Sequence, residues 1–440
     1  MPSKYNDASS ASFDGDSDAE KSLLSAPTES EDAASKQSGF YRVLVFILIA
    51  AMANILFGYE NSVVASGVND FMGALSSTDS SNQGLLKGAL AIGATIVCPF
   101  AGLLQDGIGR RVTLIICLII YLGCCAISAT APAYPGGFSQ LMCGRVLTGM
   151  VIGIFSSTVP MYVAELSPAN IRGSLVTINQ VCVCVGILLG YVASTVLTPS
   201  WRPQFYGATP LAVLLLCAFV FVTPYSPRWL MTKGRKEEAR AVLRSIRGND
   251  AAAEKELDDI QRVCDESSQG VSKYAALLEP HIRWGVTIGV MGAIMQQWVG
   301  VNAVNGYAPN IFEGAGSTPA QAHVQTIYIG VAKLFFVVVA LLLMDRVGRK
   351  PLLIIGCIGM AASSGMLAFS YSLPANVANP IAVGSLVLYM AFFEISLGPI
   401  LWLLLSELYP LKVKGVAMSI GATMTWCADA ALVTCREGFR

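Results

Sequence analysis

Apolar residues in this 440-residue chain fall in long, nearly unbroken runs rather than in the amphipathic stripes of a soluble domain. A helix needs about 20 mostly apolar residues to cross a bilayer core. Runs of that kind stand near 42 to 60, 85 to 104, 112 to 131, 139 to 158, 174 to 197 and 204 to 222. Residues 232 to 283 then interrupt the series with Lys, Arg, Glu and Asp, helically patterned in KEEARAVLRSIR and EKELDDIQRV. Five further runs follow, near 284 to 306, 323 to 344, 351 to 371, 380 to 405 and 413 to 434. The pattern predicts an all-α polytopic membrane protein of eleven spans. An N-terminal bundle of six is expected over 41–223, an inter-domain helical loop over 224–283 and a C-terminal bundle of five over 284–440. Residues 1–40 are rich in Ser, Ala, Asp and Glu, bury too little to offset ordering entropy, and read as a disordered tail. A cleavable signal would place its apolar stretch nearer the start, so the run from Tyr41 reads as the first span.

Composition sharpens this. Hydrophobic residues make up 54% of the chain and charged residues 13%, about half the charged share of an ordinary soluble domain. The 29 basic and 29 acidic residues cancel, which leaves no field of one sign to attract nucleic acid. Lys and Arg are absent from the loops near 62 to 84, 132 to 138, 307 to 322 and 372 to 380. They occupy the alternate loops as Arg110 and Arg111, Arg172, the central cluster, Arg346, Arg349, Lys350, Lys412 and Lys414. Positive residues stay cytoplasmic, so the amino terminus and central loop are expected there, with Arg202 the one exception. Cys117, Cys124, Cys125, Cys182, Cys184 and Cys217 lie inside apolar runs and pack as small hydrophobes, without disulfides or a zinc site. His281 and His323 lack a second ligand at metal spacing, so no metal is expected. No nucleophile, base and oxyanion arrangement stands out in the loops, which argues against an enzyme. No address names the membrane, and no N-x-Ser/Thr site falls in an outer loop.

Two segments repeat. FAGLLQDGIGRRVTLIICLI around Asp106 matches VALLLMDRVGRKPLLIIGCI around Asp345, 239 positions on. PMYVAELSPANIRG with Glu165 matches LLLSELYPLKVKG with Glu407, 242 positions on. Both copies have the same predicted orientation, so the halves are parallel repeats, which imply two bundles around a shared central site. Glu165 lies seven residues before Arg172, as Glu407 does before Lys414, and Asp106 lies beside Arg110 and Arg111. Such pairs on one face of both halves suit a latch that locks one state and breaks on opening. The alternative is that they only cap helices and anchor the interface.

Polar side chains inside spans are costly in hydrocarbon and tend to face a cavity. Gln296, Gln297 and Asn302 carry carboxamides that donate and accept together, which suits adjacent sugar hydroxyls, and Gln180 offers the same chemistry. Trp402 and Trp426 supply flat apolar faces for the C–H side of a pyranose, and Phe57 is placed to close the pocket from the first span. A carboxyl within the bundle, such as Glu60, alternates between charged and neutral forms as its surroundings change.

These motifs resemble the sugar porter family of the major facilitator superfamily. The matching residues are Gly102, Asp106, Gly109, Arg110 and Arg111; Gly144 and Arg145; Pro160, Tyr162, Glu165, Pro168, Arg172 and Gly173; PYSPRWL at 224 to 230; Gln296, Gln297, Gly300 and Asn302; Asp345, Gly348 and Arg349; and Gly398, Pro399, Trp402, Ser406, Glu407 and Pro410. They run in order from 42 to about 434. The resemblance implies a twelve-helix major facilitator fold, here ending without its twelfth helix, that moves monosaccharides or polyols as a monomer without a cofactor.

It also implies a substrate pocket of Gln180, Gln296, Gln297, Asn302, Phe393, Gly398, Trp402, Phe57 and Trp426. Proton coupling falls to Glu60 and Arg145, and a cytoplasmic network to Asp106, Arg110, Arg111, Glu165, Arg172, Arg228, Asp345, Arg349, Glu407 and Lys414. Symport is favoured over facilitated uniport, and a non-transporting sensor or shortened isoform stays open as a second class. The sequence departs from the family pattern at Tyr225, where a glutamate is usual, and at Gly306, Ile187 and Lys333. Glu394 is a suggested partner for Lys333.

Overall fold

The computed structural model describes residues 29–435 apart from 76–79, 133–135, 169–171, 199, 269–276, 278 and 410–412, and holds no strand among them. The first half comprises α1 (Glu29–Ala74), α2 (Ser80–Ile108), α3 (Arg110–Ala129), α4 (Gly137–Leu166), α5 (Arg172–Leu197), the short α6 (Trp201–Tyr206) and α7 (Thr209–Phe221). Three helices form the charged loop: α8 (Pro227–Thr232), α9 (Lys236–Arg247) and α10 (Asp250–Ser268). The second half holds α11 (Pro280–Trp298), α12 (Val301–Gly314), α13 (Pro319–Val347), α14 (Arg349–Ser370), α15 (Ala375–Ile395), α16 (Leu397–Leu408) and α17 (Lys414–Cys435). Closing every backbone hydrogen bond within a helix is what hydrocarbon demands.

Length and composition do not by themselves confirm the expected count of eleven spans. Among the described residues nine helical stretches are long and apolar enough to cross a membrane, with α15 and α16 together making one of them, Val377–Leu405. The seventh expected span is divided at Gly300, whose φ of +91° ends α11 after 19 residues and starts α12. The eleventh, α17, is diluted by Ser, Thr and Asp429. The tail boundary also moves, because α1 begins at Glu29 and residues 29–40 are helical. Their Glu, Ala, Lys and Gln are good helix formers, and Gly39 rests on the loop. A Cβ there would meet the Gly248 nitrogen at 2.9 Å.

Burial is inverted relative to a water-soluble protein. Phe221 is 83% exposed, and Ile358, Leu342 and Phe369 also stand on the outside, whereas Glu60, Arg145, Lys333, Glu394 and Asp429 are buried. Apolar side chains there face lipid, and the interior keeps the polar groups.

Within the first half α1 crosses α5 at backbone distance. A Cβ on Gly58 would stand 2.1 Å from the Val183 carbonyl oxygen, and one on Gly186 would stand 2.1 Å from that of Ile55. Small residues let membrane helices approach this closely. Gly186→Leu is therefore expected to force the helices apart at a cost of about 1–3 kcal/mol, seen as a lower thermal midpoint of the detergent-solubilised protein.

The halves meet along two seams, α2 with α17 and α5 with α13. In the sequence repeat α2 corresponds to α13 and α5 to α17, so the seams are one contact made twice, as an axis along the membrane normal requires. The repeat also appears in the backbone. Gly109 (φ 90°, ψ 154°) and Gly348 (φ 87°, ψ 165°) occupy the same glycine-only region at the turns into α3 and α14.

The loop helices attach to the first half. Arg247 donates to the Leu166 carbonyl at 3.1 Å, at the end of α4, and Trp229 Nε1 donates to the Asp106 carbonyl at 3.3 Å. The Trp229 ring lies over Gly109, where a Cβ would stand 2.9 Å from it. Arg240 pairs with Glu237 and Glu254, each at 2.8 Å, and Arg247 pairs with Glu256 at 2.6 Å, tying α9 to α10. Arg202, the positional exception, donates to the Ala131 carbonyl just beyond α3 at 3.0 Å and covers the Trp201 ring.

Candidate functional site

Among the described residues two ion pairs have both side chains no more than 2% exposed, one in each half. In the first, Arg145 of α4 donates through Nη1 to Glu60 Oε2 of α1, and through Nη2 to the Glu60 carbonyl at 3.0 Å. Tyr121 of α3 donates to Glu60 Oε1 at 2.7 Å. Arg145 and Glu60 are 1% and 2% exposed, so both carboxylate oxygens are partnered away from bulk water. Removing the negative charge here leaves a guanidinium inside the protein, and such a charge is strongly unfavourable without a partner.

In the second, Lys333 Nζ of α13 lies 2.6 Å from Glu394 Oε1 of α15, a charge contact at an angle outside that of a directed hydrogen bond. Lys333 is 2% exposed and Glu394 fully buried. Lys333 also sits 5.3 Å from the centre of the Phe393 ring. Gln180 of α5 reaches across the seam and donates to Glu394 Oε2 at 3.1 Å.

The carboxamides cluster beside this pair. Gln296 donates to the Leu397 carbonyl at 2.8 Å and the Gly398 carbonyl at 3.4 Å, where the backbone breaks between α15 and α16. A Cβ at Gly398 would stand 2.9 Å from Glu394 Oε2, so glycine lets the carboxylate occupy this bend. Asn302 donates to Gln297 Oε1 at 2.9 Å across the Gly300 break. The aromatic residues close the opposite wall. Trp426 meets Phe57 edge to face at 5.4 Å and donates to Ser156 Oγ at 3.1 Å, while Trp402 packs in the same cluster.

Between the halves lies a cavity of about 20 Å³ lined by Asn61, Lys87, Arg145, Asn302, Tyr307 and Asp429, among others. That is room for about one water, far below the roughly 300–1,000 Å³ of a ligand pocket.

The charged-loop face carries the other predicted group. Arg110 bridges Asp106 at 3.2 Å and Glu165 at 3.1 Å, and joins α2, α3 and α4. Arg111 does not join them. It donates to the Phe219 and Val220 carbonyls at 2.9 and 2.6 Å, because the carbonyl end of α7 attracts a cation. Its guanidinium also lies 4.8 Å from the Tyr225 ring, with Arg235 at 5.6 Å, so an aromatic face serves where the family resemblance leads one to expect an acid. Arg228 lies at the start of α8 and makes no ion pair among the described residues. Arg349 begins α14. The side chains of Arg172, Asp345, Glu407 and Lys414 lie outside the described residues.

Lys87, Tyr307, Tyr121 and Asp429 escaped the sequence reading. Asp429 and Lys87 are ionisable residues inside apolar runs, and that signal alone was enough to single them out.

Comparison with known proteins places the chain. The family described as "Sugar (and other) transporter" matches residues 46–437. The D-xylose-proton symporter of Escherichia coli (strain K12) is 34% identical over 416 residues, covering 87% of this chain and 82% of the relative. The galactose-proton symporter of the same strain is 32% identical, covering 90% and 85%. Among solved structures, the proton:xylose symporter XylE bound to 6-bromo-6-deoxy-D-glucose superimposes with a TM-score of 0.80 at 32% identity, covering 92% of this chain and 89% of that one. The inward open conformation of the E. coli xylose transporter gives 0.73 at 31% identity, covering 89% of each.

Proposed function

The chain belongs to the sugar transporter family of the major facilitator superfamily, a family of multi-pass integral membrane proteins and not of enzymes, and from that membership we propose that it carries a monosaccharide or polyol together with a proton, by alternating access to one site between its halves. The observation that carries the proton is the buried Glu60–Arg145 pair. A carboxylate held against a guanidinium keeps its charge, and a proton that neutralises it frees the arginine to move, so protonation and conformation are linked.

Sugar recognition falls to Gln180, Gln296, Gln297 and Asn302 for the hydroxyls and to Phe57, Phe393, Trp402 and Trp426 for the C–H faces. Gly398 leaves room beside Glu394. Here Asn302 donates to Gln297, Gln296 to the Leu397 carbonyl and Gln180 to Glu394, and a sugar supplies equivalent partners when the halves part. The charged-loop face acts as the latch. Arg110 with Asp106 and Glu165 serves the first half, and Arg349 with Asp345 and Glu407 serves the second. Arg172, Arg228 and Lys414 complete the basic rim, and Arg111 anchors α3 to α7. This face is the cytoplasmic one by the distribution of Lys and Arg, the amino terminus lies on the same side, and the chain works as a monomer in the bilayer.

Uptake of labelled hexoses, pentoses and polyols into transporter-deficient cells, with and without a protonophore, tests the proposal. Saturable uptake abolished by the protonophore is expected and identifies the substrate. Protonophore-resistant uptake would replace symport by facilitated diffusion, and binding without flux would make the chain a sensor.

A further inference from the structure

We propose that Asp429 is a second counter-carboxylate for Arg145, receiving the guanidinium across the seam between the halves whenever Glu60 carries the transported proton. This rests on the proton-coupled reading above.

Asp429 stands on α17, 6% exposed, and its Oδ1 has no hydrogen-bond partner. It lines the same water-sized cavity as Arg145 and is the one carboxylate among that cavity's lining residues. Glu60 holds Arg145 from α1, on the first-half side. The remaining charged or titratable groups lining the space are Lys87 on α2 and Tyr307 on α12, with Lys87 Nζ 3.7 Å from the centre of the Tyr307 ring. Asn302 is within hydrogen-bonding reach of Asp429 and donates to Gln297, which joins this position to the carboxamides of the sugar site.

The balance is one proton per cycle. A proton from the first compartment adds to Glu60, the Arg145–Glu60 ion pair opens, and the guanidinium swings to Asp429 with no change in the latter's protonation. When the proton leaves Glu60 for the second compartment, Arg145 returns. Asp429 lies 15 residues into α17 from Lys414, about 22 Å at helical rise. It therefore sits in the part of the bundle away from the charged loop. Arg145 captured there links α4 of one half to α17 of the other, so the proton on Glu60 decides which half's carboxylate holds the arginine.

The full chain reconstituted in vesicles, with D-xylose, D-galactose and D-glucose as probes, provides the test. Wild type is expected to show uptake that rises as the external pH falls. Asp429→Asn is expected to need a pH about one unit lower for half-maximal uptake, about tenfold more protons, because opening the Glu60 pair then leaves the arginine without an acceptor. Asp429→Glu is expected to keep the wild-type profile to within about 0.3 unit. Tryptophan fluorescence quenching by sugar checks that each variant is folded. An Asn variant with the wild-type profile overturns the proposal, as do Asn and Glu variants displaced equally. Should the Asn variant not assemble, the Glu variant decides by itself, and loss of its pH-dependent uptake counts against the proposal. Wild-type uptake indifferent to pH removes the proton-coupled reading, and this inference with it, an outcome distinct from failure at Asp429 alone.

Discussion

Exchanging Glu60 for Gln is expected to reduce sugar accumulation against a gradient to none, while exchange of labelled for unlabelled sugar across vesicles at equal concentration persists. The carboxamide has nearly the shape of the carboxyl and can still accept from Tyr121, which donates to Oε1 at 2.7 Å. It cannot ionise, so the Arg145 contact no longer depends on pH, and an imposed pH gradient has nothing to act on. The variant mimics the protonated carrier held permanently in that state. Accumulation measured in vesicles under a fixed pH gradient checks the expectation, and a ratio equal to wild type would sink the assignment of coupling to this carboxyl. Arg145→Ala is a harsher change, because it leaves a 2%-exposed carboxylate without its cation.

The second large effect is expected at Lys333. Lys333→Met removes the cation from a fully buried Glu394, and breaking such a pair costs about 3–5 kcal/mol because the remaining charge is left uncompensated. The double variant Lys333→Met with Glu394→Gln should recover much of that loss, since two neutral side chains of similar volume need no counter-ion. Thermal unfolding in detergent separates these cases: the single variant should melt well below the double one. Equal midpoints would show that the two residues do not act as a unit. Sugar affinity should fall in the double variant even where stability returns, because Gln180 donates to the same carboxylate from the other half.

The long apolar runs, the repeated turn motifs and the ion pair of Glu60 with Arg145 were legible in the sequence, for different physical reasons. A span announces itself by composition over about 20 residues. A turn that only glycine fits, such as Gly109 with its partner Gly348, repeats at a fixed offset. What the chain hides is the partner of a charge when several are in reach. Arg111 sits next to Arg110, yet one finds the closing carbonyls of α7 and the other finds two carboxylates. Only the direction in which each side chain leaves the helix decides that. The pairing of Gln180 with Glu394, 214 positions apart, depends on which helices meet at the seam. The division at Gly300 was equally hidden, because an apolar run with several glycines does not say which of them turns the backbone. Asp429 was overlooked for a simpler reason: the resemblance marks Trp426 in that run and no position beyond it.

The charged loop helices hold on to the first half through Trp229 over Gly109, Arg247 on the Leu166 carbonyl and Gly39 against Gly248. By these contacts among the described residues α9 travels as luggage of one jaw, so a fluorophore on α9 would report the tilt of the first half.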